Sequence, residues 1–124
     1  MILSSKEIVN VLPSRLREKL PKNIKVVEVS RQEVRRLNHI YRQKNKPTNV
    51  LSFRHGSDYG EILVCPAVVR REAKEQGNTY QYQMTWMILH GMLHLAGMHH
   101  ERSRVMAAKI ERLEQKILRQ TLGH

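Results

Sequence analysis

The chain has 124 residues, enough for one domain with a genuine core and too few for two ordinary ones. Its 22 Lys and Arg against 11 Asp and Glu leave a formal charge of +11, a balance that favours polyanionic partners, nucleic acid above all. The single cysteine excludes an intramolecular disulfide and fits a reducing cytoplasm; no apolar run reaches the roughly 20 residues of a membrane helix, and MILSSKE lacks the basic start and apolar stretch of a signal peptide.

From the N-terminus, Ser4 or Ser5 caps a short helix carrying Ile8, Val9 and Leu12, and Pro13 opens a further turn that stops before Pro21. IKVVEVS (24–30) is rich in β-branched residues and alternates, which predicts a strand. Ser30 and Glu33 have the spacing of a capping box, so a helix follows through Val34, Leu37 and Tyr41 and ends near the KNKPTN loop. NVLSFRH (49–55) and EILVC (61–65) are strands that the turn residues HGSDYG join as a hairpin, with Cys65 as a core thiol. AVVRREAKEQG (67–77) is helical by pattern, and Gly77 stops it. Residues 80–96 form a long apolar helix, and 101–122 place Met106, Ile110, Leu113 and Ile117 on one helical face. The expected fold is α+β: a single domain over 1–124, with about five helices covering a small mixed sheet of three strands, or four if Met1–Leu3 pairs at an edge.

LHGMLHLAGMHH (89–100) holds four of the seven histidines. His90 and His94 lie four apart, about 6 Å along one helical face, a spacing that lets two imidazoles share one ion. Met84, Met87, Ile88, Leu89, Met92, Leu93 and Leu95 make this helix apolar nearly all round, as a central buried helix is. Imidazoles buried there need partners, and a metal supplies them. On an unbroken helix His100 would lie about 15 Å from His90. Gly97 can end the helix and turn the chain back, so that His99 or His100 reaches the site. The spacing H-x3-H-x2-G-x2-H matches the metzincin zinc pattern, in which three histidines leave a fourth position for water. Those peptidases carry a glutamate general base after the first histidine. Here that position is Gly91, which sets peptide hydrolysis aside.

HGMLHLAGMHH (90–100) resembles the HGxLHLxGxDH signature of the YbeY rRNA-maturation endoribonucleases, and LNHIYRQKNKPTNVLSF (37–53) is similar to that family's LNxxYRxxxxPT[DN]VLSF segment. GEI (60–62) stands where the family has GDI, and VVRREAKEQG (68–77) resembles its next helix, so the likeness runs over roughly residues 25–118. The resemblance implies a zinc-dependent, single-strand-specific endoribonuclease of the cytoplasm, acting in maturation of the 16S rRNA 3′ end and in ribosome quality control. It implies Zn2+, or another divalent ion, on His90, His94 and His100 with a water. It also gives Arg42 a functional role, and a guanidinium fixed near the ion suits the gripping of a phosphate. Lys44, Lys46 and Arg54 are expected to position the RNA backbone, with the small ribosomal subunit or its assembly proteins as partners. The alternatives are an RNA-binding assembly factor with a structural zinc, and a zinc peptidase-like hydrolase.

Departures from the family pattern set further expectations. His99 replaces the signature's Asp and Glu61 the Asp of GDI, so acidic help at the site is expected from Asp58, Glu61 or Glu101. The family's first strand is expected to be missing and the loop after Phe53 short. Thr48, Asn49 and Phe53 are read as structural, and Ser52 as lining a cleft.

Overall fold

A computed structural model describes residues 4–99 and 103–122. Its elements are α1 (Ser5–Val11), α2 (Ser14–Arg17), β1 (Asn23–Glu28), α3 (Arg31–Arg42), β2 (Val50–His55), β3 (Tyr59–Val64), α4 (Pro66–Gln76), α5 (Tyr80–Leu95) and α6 (Arg104–Leu122). The order is the expected one, with six helices among the described residues rather than about five, because Pro13 divides the N-terminal segment into α1 and α2. Three strands form a mixed sheet in the order β1-β3-β2; β3 runs parallel to β1 and antiparallel to β2. The fourth strand considered for Met1–Leu3 falls outside the described residues.

The capping box predicted at Ser30 is only half made. Ser30 Oγ accepts from the Glu33 amide at 3.1 Å, but the Glu33 carboxylate turns to Arg36, one helical turn on. The complete box opens α1 instead, with Ser4 Oγ accepting from the Glu7 amide at 3.2 Å and Glu7 accepting from the Ser4 amide at 3.0 Å. The Ser4 backbone N–H, with its hydroxyl, holds the Glu7 carboxyl below its ordinary value. Because that value is lowered on folding, the cap contributes above the ordinary carboxylate range and is lost as pH falls through the folded value. Acid is therefore expected to fray the start of α1 before the core opens, read as early loss of amide protection at Ser4.

Alternate residues of β2 and β3 face opposite ways. Val50, Ile62 and Val64 join the main core with α5, whereas Leu51, Leu63 and Phe53 form a second cluster with Val34 of α3 and Val68 of α4. Cys65 is fully buried in that second cluster. α5 packs against β2, β3, α4, α6 and α1, so ten of its 16 residues are buried. That is why its sequence is apolar all round. It ends in a Schellman turn: Gly97 has φ 92, its N–H reaches the His94 carbonyl at 2.9 Å, and the Met98 N–H reaches Leu93 at 3.0 Å. The chain reverses there, as the glycine predicts.

Candidate functional site

An open cleft lies where α3, β2, α5 and α6 meet, and its walls include Tyr41, Arg42, Ser52, His90, His94 and Glu114. His90 and His94 sit on successive turns of α5 with ring centroids 5.4 Å apart. Past the Gly97 turn, the His99 ring lies edge-on to His94 at 4.8 Å. His100 falls outside the described residues.

The acidic partner comes from an unexpected place. Glu114 of α6 is only 3% exposed, and burying a carboxylate is costly unless donors surround it. Two donors do so from α5: the Trp86 indole N–H at 3.0 Å to Oε1, and His90 Nδ1 at 2.6 Å to Oε2. Trp86 and His90 are one turn apart, so a single carboxylate spans both. The bond at Nδ1 selects the tautomer that presents Nε2 as an electron-pair donor, the way a carboxylate orients a histidine ligand toward a metal.

None of the expected acids takes this part. Asp58 is an exposed turn residue 3.9 Å from Lys22. Glu61 pairs with His55 at 3.1 Å and lies on the Leu63 side of β3, away from α5. Glu101 is outside the described residues. A signal for Glu114 was present: an acid in the middle of the Ile110–Leu113–Ile117 stripe must be buried with that stripe and must therefore have donors waiting.

Arg42 ends α3, is exposed, and lines the same cleft as the two histidines. It has no carboxylate partner among the described residues. Lys44 and Lys46 follow on the exposed loop, which the buried Asn38 anchors by donating to the Lys46 carbonyl at 2.9 Å. Arg54 does not join them. Its Nε donates to the Gly56 carbonyl at 3.0 Å, and its guanidinium also binds the carbonyls of Leu95, at 2.7 Å, and Lys19. It ties β2 to the end of α5, because three carbonyls converge where β2 passes that helix terminus.

Ser52 lines the cleft as expected and donates to the Gly91 carbonyl at 3.1 Å. Asn49 anchors its loop to Glu72 of α4 at 2.8 Å. Tyr41, expected on the packed face of α3, is instead 60% exposed in the cleft.

The donors fit a borderline divalent ion. Two imidazoles share one helix face and one of them is fixed by a buried carboxylate, a chemistry that suits zinc. Among the described residues no group of three or more His, Cys, Asp or Glu side chains is placed to hold a metal ion.

Comparison with known proteins identifies the family of the chain. The model of the family described as Endoribonuclease YbeY matches residues 3–122. An Endoribonuclease YbeY of Thermotoga neapolitana is 39% identical over 102 residues, covering 77% of this chain and 68% of that one. One from Chelativorans sp. is 43% identical over 98 residues, covering 69% and 58%. The solution structure of TM1509 from Thermotoga maritima superposes with a TM-score of 0.57 at 30% identity, covering 98% of this chain and 85% of that one. The chain thus spans between about half and two thirds of the length of the curated relatives it matches. Because the family's model matches residues 3–122 of this chain, the chain belongs to the YbeY endoribonuclease family.

Proposed function

We propose that this chain is a metal-dependent endoribonuclease that cuts single-stranded RNA in the cleft between α3 and α5, in maturation of the 16S rRNA 3′ end and in ribosome quality control. The observation that carries the reading is the buried Glu114 brace on His90, set beside His94 and across one cleft from Arg42. Family membership supports the reaction class, and the +11 charge supports a polyanionic substrate. No described helix is long and apolar enough to cross a membrane, and the small ribosomal subunit and its assembly factors in the cytoplasm are the partners this reading implies.

His90, His94 and His100 would hold the ion, zinc or another divalent metal. Bound there, such an ion would supply Lewis acidity toward a phosphate oxygen or toward water. The chain's own groups do the rest. Glu114 keeps the His90 ring turned toward the cleft. Arg42 meets the scissile phosphate through two parallel N–H donors and stabilises charge that grows on its oxygens. Lys44 and Lys46 hold the adjoining backbone by charge alone, which carries no sequence information.

Arg42→Ala is expected to lower the cleavage rate by about 100-fold while leaving zinc content unchanged, since the donor is lost and no ligand is touched. Arg42→Lys should recover only part, because a point charge cannot reproduce the planar fork. Full activity in Arg42→Ala would remove the residue from this role. The test of the function itself is cleavage of a single-stranded RNA with and without chelator. Cutting that stops with chelator and returns with zinc supports the reading; RNA bound but left intact by the zinc-loaded chain would favour a non-catalytic assembly factor.

A further inference from the structure

We infer that Tyr41 is a stacking platform for a nucleobase of the bound strand, and that it gives the cleft its preference for single-stranded RNA. The inference rests on the nuclease reading above and adds a base subsite to it.

Most of the other large aromatic side chains already have polar or charged partners. Tyr59 stacks on His55, Arg70 lies over Tyr80, Tyr82 donates to Gln115 at 3.1 Å, and Trp86 is bound to Glu114. Phe53 is half-buried in the second core cluster. Tyr41 differs. It is 60% exposed, its hydroxyl makes no hydrogen bond among the described residues, and it stands on the cleft wall next to Arg42.

An aromatic ring left in water at the mouth of a site costs free energy that burial would recover. This ring is also held in place. Phe53 of β2 meets it at a centroid distance of 5.0 Å and an interplanar angle of 63°, an edge-to-face contact that fixes the ring's direction and still leaves most of its surface open. Because Tyr41 and Arg42 are neighbours at the end of α3, a strand whose phosphate lies on Arg42 passes the tyrosine face with its bases. Stacking serves any base, since each has a π-face. A base already stacked and paired within a duplex is not available to the ring, so the same contact discriminates between single and double strands.

The test compares wild type, Tyr41→Phe and Tyr41→Ala for equilibrium binding of two fluorescently labelled probes. One is a single-stranded RNA just long enough to fill the cleft; the other is a fully abasic oligoribonucleotide of the same length, which keeps the phosphates and removes the bases. Tyr41→Ala is expected to bind the RNA roughly 5- to 150-fold more weakly, the range for losing one base–aromatic stack. Tyr41→Phe should bind like wild type, and all three should bind the abasic strand alike. The inference is overturned if Tyr41→Ala binds RNA as wild type does, or if it loses as much on the abasic strand as on RNA. Failure of wild type to bind any single-stranded RNA would instead bring down the nuclease reading, and the base subsite with it.

Discussion

Replacing Glu114 with Gln is expected to weaken zinc binding by roughly 10- to 100-fold, the usual consequence of removing the carboxylate behind a histidine ligand. The amide keeps the size of the side chain and can still accept from Trp86, but it loses the charged oxygen that lies 2.6 Å from His90 Nδ1. Glu114→Ala goes further. It strips two half-buried donors of their acceptor, at up to about 1–3 kcal/mol for each, so stability should fall together with metal affinity. Competition with a chromophoric chelator reads the first effect and denaturant unfolding of the metal-free chain the second. Zinc affinity unchanged in Glu114→Gln, in a folded protein, would remove Glu114 from the site.

Gly91→Ala is expected to destabilise the chain by about 1–3 kcal/mol, the cost of overfilling a packed core. Helix propensity alone predicts the opposite sign, because alanine is better than glycine in a helix by about 1 kcal/mol. Packing decides. A Cβ at this position would lie 2.8 Å from Ile62 Cγ2, 2.9 Å from Ser52 Oγ and 3.3 Å from Val50 Cγ2. Ile62 is fully buried and cannot move aside, while Ser52 would lose its bond to the Gly91 carbonyl. The same geometry answers why the peptidase glutamate is missing. Any side chain at position 91 starts into Ile62, Ser52 and Val50 of the sheet, so Gly91→Glu should misfold rather than supply a general base. Thermal unfolding checks both variants. Equal stability of wild type and Gly91→Ala would contradict this packing.

The helix order, the β2–β3 hairpin, the reversal at Gly97 and the meeting of His90, His94 and Arg42 in one cleft were legible in the sequence. Each depends on spacing along the chain or, for Arg42, on the likeness of a long motif. The acids were not legible in the same way. Asp58, Glu61 and Glu101 are near the motifs in sequence, but strand alternation turns Glu61 away from α5. Glu114 lies 24 residues beyond His90, and only the return of α6 along α5 brings it back. Arg54 resembled a free cation because nothing in the sequence shows three carbonyls converging on it. Tyr41 continues the period of Val34 and Leu37, but it lies in the last turn of α3, where Phe53 covers one edge and the rest stays open.

If RNA is cut at the histidine cleft, loss of one of its histidines must stop the cutting. The most direct test incubates wild type and His94→Ala, purified in parallel and shown to be folded, with a labelled single-stranded RNA spanning a small-subunit rRNA 3′ end. Cleavage by wild type that chelator abolishes, absent from His94→Ala together with most of its zinc, is the predicted result. Cleavage by His94→Ala at the wild-type rate, or none by a folded and zinc-loaded wild type, would contradict it.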